Sequence, residues 1–549
     1  MNDVSAQGSP RTLVGLWGFE QLLGPEVRGE LLLERDGAIW RLRVAGVEVQ
    51  SRQMGDTVRL SLPGNRGMLR VHVDRASMAM PHVTWVQPAG VSVPYASPVH
   101  LTISAPNTWR GTVAPLDERF SLYFDVRQDS AGLTARFRNP EGNFGGGRKF
   151  RVLPESGQIG LVDIATGKRR FTQPYDSAAQ TIAFDFGGTL LARPRSLDDA
   201  SGFVPRTPSS DPYRYRPPVG LGDGWITGTA ASVGMDEDSL AAFVRSVIAT
   251  SPIDDAAPRI HSILVARHGR LVLDEYFYGY AADRPHDWRS ASKTMTSIML
   301  GVAMHRGRPI STDTKFTPAG ATIGQLLTHT SGLACNDDDD SSPGNEDVMQ
   351  GQSAEPDWYR YALALPQVHT PGTFYAYCSA GINLVGKAIH EADGRWLPEF
   401  FDVELARPLG IRQYAINLMP NGEGYAGGGM HLRPRDFLKF GQLYLNDGMW
   451  NGKQLVDRDW VRRSTQRQQP VDGGADDGFA WHRHVLKVLG RDIPSYEASG
   501  NGGQYLVVTP SLDMAVVVTA GNYGQGRIWL RIRQDLIAGY IAGAVRQSQ

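Results

Sequence analysis

Cysteine is nearly absent from this chain of 549 residues: Cys335 and Cys378 are the only two. Two thiols make neither a disulfide framework nor a thiolate metal cluster, and their spacing alone leaves open whether they pair. Long apolar runs are missing as well. No 18-residue apolar segment occurs, which excludes a membrane-spanning helix. Met1-Asn2-Asp3-Val4-Ser5 lacks the basic and apolar regions of a signal peptide. The chain as written is therefore expected in the cytoplasm, although an exported form with a trimmed leader would look the same. An excess of one charge is also lacking. Lys+Arg number 56 and Asp+Glu 57, for a formal charge of -1, so neither nucleic acid nor a membrane surface is an expected partner. What is present is a soluble globular composition, 41% hydrophobic and 21% charged, at a length that predicts two or three domains.

From about Leu13 to about Arg195 the apolar residues alternate with period two. Trp40, Leu42 and Val44 follow an Asp36-Gly37 turn; Val58, Leu60 and Leu62 repeat the pattern, as do Leu69, Val71 and Val73. Phe120, Leu122, Phe124 and Val126 continue it, then Leu133, Ala135 and Phe137 after Ser130-Ala131-Gly132. Short strands joined by Gly, Asp and Pro turns predict an all-β sandwich or barrel over residues 1–204. No catalytic constellation appears there. Its Asp and Arg residues read as a solvated face; the sharper alternative is a barrel interior that binds a ligand or gates the rest of the chain.

Residues 205–224, Pro-, Gly- and Ser-rich, read as a linker. Residues 225–549 have a different texture. Asp236 opens a capped helix with Leu240, Phe243, Val244 and Val247 on one side, and a His268-Gly269 turn joins two strands. A helical stretch follows, then strands and a C-terminal helix from Arg527. That order predicts an α+β domain whose antiparallel sheet takes strands from both of its ends.

Three stretches carry chemistry. Trp288 to Thr296 contains Ser290 and Lys293, three residues apart and so on one helical face, with Ser290 expected to cap the helix start. A serine there is placed to attack, and the neighbouring amine to take or relay its proton, in an S-x-x-K pattern. Pro371-Gly372 leads to Tyr377 and Ser379; a phenol held near the nucleophile and stabilised by lysine serves as general base, whereas a tyrosine taken alone reads as half-buried packing. Ala498-Ser499-Gly500-Asn501-Gly502-Gly503-Gln504 places glycines at a strand edge, where backbone N–H groups can form an oxyanion hole, or simply a hairpin turn.

Together these stretches resemble the serine β-lactamase and penicillin-binding-protein-like superfamily, in the branch of class C β-lactamases, D-aminopeptidases, family VIII esterases and 6-aminohexanoate-dimer hydrolases. Thr322 to Leu333, Gly427 to Met430, Pro434 to Gly441 and Gly502-Gly503-Gln504 are similar to family segments in the same order. The resemblance covers roughly Gly224 to Gln549. It implies a β-lactamase-like fold, Ser290 as nucleophile, Lys293 as its activating lysine, Tyr377 as the tyrosine of the Y-x-N motif, and an oxyanion hole at the N–H groups of Ser290 and Asn501. Ser379 stands at the motif's third position, as in some relatives, and with Ser499 and Gly500 is expected to line the substrate site. Ala498 replaces the lysine of the K-T-G strand motif. Losing a charge-assisted contact of ~1.5–3 kcal/mol to a substrate carboxylate weighs against a β-lactamase or D,D-carboxypeptidase.

The resulting expectation is a two-domain serine hydrolase acting through an acyl-enzyme, first a carboxylesterase on small neutral esters, alternatively an amide or peptide hydrolase, with no cofactor and no metal. A non-catalytic binding protein of the same fold is the rival from another class. Asp337-Asp338-Asp339-Asp340 reads as a solvated loop rimming the site, since it lacks the glycine and terminal glutamate of an EF-hand. His329 reads as structural, and Trp358, Tyr359 and Trp481 as core.

Overall fold

The computed structural model describes residues 13–73, 80–90, 93–145, 147–207, 209, 211–468 and 477–546; Met1 to Ser5, on which the signal-peptide reading rests, lie outside them. The period-two pattern of the first half becomes two bodies. Strand Gly15–Gly24 pairs with Glu118–Asp129, and Gly132–Arg138, Lys149–Glu155, Gln158–Asp163, Arg169–Asp176, Thr181–Asp185 and Thr189–Arg195 follow in order. The last strand returns to the first, with Trp17 opposite Pro194, and closes a barrel. Several strands turn a phenylalanine inward: the Phe137 ring lies 5.0 Å from Phe124, 5.5 Å from Phe150 and 5.9 Å from Phe184. These rings fill the space that a ligand bound inside the barrel would need.

Between the first and second barrel strands the chain leaves to build a sandwich. One sheet orders Val47–Arg52, Ile39–Val44, Gly29–Asp36, Thr108–Val113 and Leu101–Ala105. Its inner face carries Trp40 stacked on Trp109 at 5.5 Å, both shut from solvent; burying one such side chain contributes about 2–3 kcal/mol. The facing sheet starts with Thr57–Ser61, Met68–His72, His82–Gln87 and Tyr95–Pro98 and then continues into Tyr414–Asn417, Met430–Leu432 and His286–Asp287 from the second half of the chain. Ala96 pairs with Ile416, and His82 Nε2 meets Asp402 Oδ2 at 2.6 Å. The strand at His286 leads straight into Ser290.

Residues 205–224 contain no strand or helix among those described, yet they are tied down. Arg206 bonds Glu275, and the Tyr215 hydroxyl donates to Val272 O at 2.7 Å. Beyond them, the main sheet of the C-terminal half runs Ile226–Thr227, Arg270–Tyr276, Ile260–Arg267, Met514–Ala520, Gln504–Thr509, Arg491–Gly500 and His482–Val488, taking strands from both ends as expected. Helix Glu237–Ile248, capped by Asp236 on Ser239 N, packs on one face with the C-terminal helical segment Gly526–Arg531 and its continuation. On the other face lies helix Ser292–His305, buried all round from Ser292 to Ala303, with helix Ser379–Asp393 beyond it. A helix without a polar face is a core helix. Trp358, Tyr359 and Trp481 belong to that core.

Candidate active site

Ser290 sits in a 3-10 turn, Arg289–Ala291, that precedes the core helix. Ser290 therefore does not cap the helix: no side-chain cap bond forms there. Its hydroxyl instead accepts a hydrogen bond from Lys293 Nζ at 2.9 Å. Around this turn the backbone is held on every side. Arg289 lies in the left-handed region at φ 48°, its N–H donating to Asp287 Oδ1 at 2.8 Å and its guanidinium paired with Asp287 at 2.7 Å. Thr294 and Thr296 donate to Ala480 O and Ala426 O, and Ser292 Oγ accepts from Met430 N, which fixes the first turns of the helix.

Tyr377 comes from the segment before helix Ser379–Asp393, with Lys293 Nζ 5.0 Å from the centre of its ring. Its segment is gripped from two sides. His329, itself at φ 56°, accepts from Cys378 N at 3.1 Å through Nδ1, and its ring stands 4.5 Å from that of Tyr377. Asp337 N donates to Tyr377 O at 2.8 Å. Cys335 and Cys378 form a disulfide that closes this grip. His329 is structural, as its neighbours suggested: burial, then the Lys293 charge, push its pKa down to about 3, so the ring is neutral.

Asp337 was read from sequence as part of a solvated acidic run, and the structure corrects that for this residue. Asp338, Asp339 and Asp340 are exposed, but Asp337 turns inward. Its Oδ2 accepts from Ser379 N at 2.8 Å and from Ser379 Oγ at 2.6 Å, and its Oδ1 from Glu346 N at 2.9 Å. Ser379, expected to line the substrate site, is fully buried with its hydroxyl committed to Asp337. Glu346 accepts the Tyr425 hydroxyl at 2.5 Å. A run of like residues gives no signal that one of them differs, and only the fold brings Asp337 and Glu346 together.

Lys293 is shut from solvent. Burial alone would lower its pKa, but Tyr377, then Glu346 and Asp337, outweigh it and hold the amine above its ordinary value. The resting side chain is an ammonium that donates to Ser290. Burial raises the pKa of Asp337, opposed by Lys293 and the Ser379 bonds.

The A-S-G strand lies against the turn that carries Ser290. A Cβ on Gly500 would come 2.4 Å from Trp288 O and 3.1 Å from Ala291 N, so only glycine permits this approach. Asn501 follows at the exposed edge, its Oδ1 accepting from Gly524 N at 2.8 Å, while Ser499 pairs with Tyr505 in the strand. Gln504 clasps the neighbouring strand, donating to Ala520 O at 2.7 Å and accepting from Ala520 N at 3.2 Å. Ala498 is buried in the core, so no charge stands where the motif has lysine. A cavity of about 700 Å³ opens beside Arg289 without enclosing Ser290; Asp287, Arg289 and Tyr523 line one end, and Glu118, Phe120 and Glu141 of the barrel the other.

Residues 258–531 match the protein family described as Beta-lactamase. This part of the chain is a serine β-lactamase-like domain. It is 24% identical over 281 residues to a 6-aminohexanoate-dimer hydrolase of Paenarthrobacter ureafaciens, covering 47% of this chain and 71% of that protein. It is 23% identical over 283 residues to the D-alanyl-D-alanine-carboxypeptidase/endopeptidase AmpH of Escherichia coli K12, covering 46% and 69%. A solved family VIII carboxylesterase aligns at TM-score 0.42 and 15% identity over 56% of this chain and 98% of its own. The domain thus belongs with the serine β-lactamase and penicillin-binding-protein-like superfamily.

Proposed function

We propose that this protein is a serine hydrolase that works through an acyl-enzyme on Ser290, with Lys293 and Tyr377 as its proton-handling pair. The 2.9 Å contact from Lys293 Nζ to Ser290 Oγ, beneath the Tyr377 ring, carries the reading. Lys293, held as an ammonium, is a poor base but a good stabiliser of a Tyr377 phenolate. Tyr377 then takes the Ser290 proton as Oγ attacks the substrate carbonyl, and returns it to the leaving group. The N–H groups of Ser290 and Asn501 receive the developing oxyanion, and a water activated by Tyr377 releases the acyl group.

Carboxylic esters of small neutral acids are the first substrate class, because an ester asks least of leaving-group protonation. Ala498 argues against substrates that depend on a lysine-bound carboxylate, β-lactams among them. The second reading is amide hydrolysis, favoured by the names of the two curated relatives, one acting on an amide oligomer and one a carboxypeptidase/endopeptidase. Comparing kcat/KM for an ester and an anilide of one short acyl group, with Ser290→Ala as blank, tests both. Ester preference lost in the variant supports the first, and comparable rates support the second. A folded protein silent on both, and unlabelled at Ser290 by a fluorophosphonate, would turn the reading to a binding role. The buried Cys335–Cys378 bond favours an oxidising compartment over the cytoplasm.

A further inference from the structure

The cavity beside Arg289 has walls from both halves of the chain, and its inner end adjoins the groups proposed to handle the substrate carbonyl. Arg289 directly precedes Ser290, and Tyr523 directly precedes Gly524, whose N–H donates to Asn501 Oδ1 at 2.8 Å. Residues next to both proposed oxyanion donors, Ser290 and Asn501, therefore line or border this space. Its volume of about 700 Å³ is that of a ligand site and exceeds what the acyl part of a small ester fills. The barrel shapes the same space. Asn143 Nδ2 donates to Tyr523 O at 2.8 Å, and Glu141 Oε1 accepts from Arg284 at 3.1 Å.

Charges at the inner end are matched. Arg284 is paired with Glu141 and Arg289 with Asp287. Hydrogen-bond donors there are not matched. The Arg289 Nη nitrogens bond to no described residue, and neither do the hydroxyls of Tyr280 and Tyr523, both half-buried in the cavity wall. Burial pushes the Tyr280 pKa up to about 12; burial, then the nearby Tyr280, hold Tyr523 well above its ordinary value, so both phenols remain O–H donors. The Tyr280 ring is pinned by His261, stacked at 4.2 Å, and by Arg284, 4.0 Å from its centre. Arg289 lies 5.2 Å from the centre of the Tyr523 ring. Three donor groups thus meet at one end of an open cleft.

We propose that this cleft is a subsite for an uncharged arm of the substrate that carries carbonyl oxygens, a short chain of amide or ester groups received by Arg289, Tyr280 and Tyr523 and running on toward Phe120 of the barrel. The proposal rests on the serine-hydrolase reading above and adds the arm to its ester or amide. A carbonyl oxygen accepts from N–H and O–H donors and brings no charge. An ammonium would set donors against donors, and a carboxylate would add a third anion beside Glu141 and Asp287. The barrel, outside the residues 258–531 that match the family, thereby becomes part of the substrate site.

The test compares kcat/KM for the p-nitrophenyl esters of N-acetylglycylglycine and of the alkanoic acid of equal chain length, each corrected for its rate with hydroxide. The pair is repeated with the same two arms on the alcohol of an acetate ester. Expected is a preference of about 10- to 100-fold for the amide arm in one of the two series, as one or two net hydrogen bonds supply. Tyr280→Phe and Tyr523→Phe, which keep the rings, are each expected to cut that preference about 3- to 10-fold. Equal rates for the two arms in both series, with turnover still lost in Ser290→Ala, would overturn the subsite and leave the hydrolase reading standing. A preference undiminished in both tyrosine variants would overturn it as well. If no ester is cleaved and a fluorophosphonate leaves Ser290 unlabelled, the hydrolase reading fails instead, and crystals of the full-length protein soaked in N-acetylglycylglycine amide decide the cleft. Density between Arg289 and Phe120 would uphold it as a binding site, and its absence there would overturn it.

Discussion

Replacing Asp337 by asparagine separates the grip on Tyr377 from the chemistry proposed for Tyr377. The native carboxylate accepts three bonds, two from Ser379 and one from Glu346 N. Asparagine keeps one oxygen for Glu346 N, but its amide N–H₂ faces the Ser379 N–H, donor against donor. Ser379 is fully buried, so its N–H is left unpaired at a cost of about 1–3 kcal/mol. Burial already penalises the Asp337 charge, shown by its raised pKa, and removing that charge returns part of the cost. A net loss of about 1–2 kcal/mol is expected, too little to unfold the domain. Activity should fall further, because a displacement of about 1 Å at a positioned group can cost on the order of 100-fold. Expected is a fall of about 10- to 100-fold in kcat on an activated ester, with KM changed less. Losing the Asp337 charge also lowers the Lys293 pKa, so the alkaline limb of the kcat profile moves to lower pH. A kcat within about two-fold of wild type, with an unmoved alkaline limb, would refute the reasoning.

Gly500→Ala drives a Cβ into the backbone of the turn that carries Ser290, so the motif strand must retreat; kcat is expected to fall about 100- to 1000-fold on the same ester, the cost of losing the oxyanion donor proposed at Asn501 N–H. Replacing Cys335 and Cys378 together by alanine opens a loop of sequence separation 43, for which chain entropy gives about 4 kcal/mol, and the urea midpoint should fall accordingly. His329 and His286 are buried neutral, with pKa values pushed down to about 3 and about 4 chiefly by burial. The unfolded chain binds protons below about 6.5 that the native protein refuses, so stability present above that pH drains away as pH falls toward 4. His329→Asn, which suits the left-handed backbone there, should flatten this loss in urea titrations run between pH 7 and 4.5.

Local patterns were the legible part of the chain. Asp236 as a cap, the turns at Asp36-Gly37 and His268-Gly269, and the Ser290–Lys293 spacing all depend on residues within a few positions of each other, and each appears in the structure where the spacing placed it. What stayed hidden depends on distant partners. Nothing near Tyr95–Pro98 announces that it pairs with Tyr414–Asn417, and nothing in an aspartate run distinguishes Asp337 from the three that follow. The helix start was misread at Ser290 for a related reason. Capping rules describe a hydroxyl free to turn back on its own backbone, whereas this one faces a buried ammonium that competes for it.

The joining of the two halves bears on the turn that carries Ser290. Strand His286–Asp287 is the last member of a sheet that begins in the N-terminal sandwich, and the turn bearing Ser290 follows it after one residue. Asp287 in turn holds Arg289, in its left-handed conformation, by its backbone N–H and by its guanidinium. The backbone entering Ser290 is therefore anchored partly by residues far outside the segment that matches the β-lactamase family. A chain cut at Gly224 would lose the sandwich strands that extend this sheet, including Tyr95, which stands edge-on to His431 on the strand beside His286. Such a truncation should lose turnover before it loses the core of the β-lactamase-like domain, because Trp288 and helix Ser292–His305 are packed from the C-terminal side. Unchanged kcat in a soluble protein starting at Gly224 would show that the sheet merely passes the site.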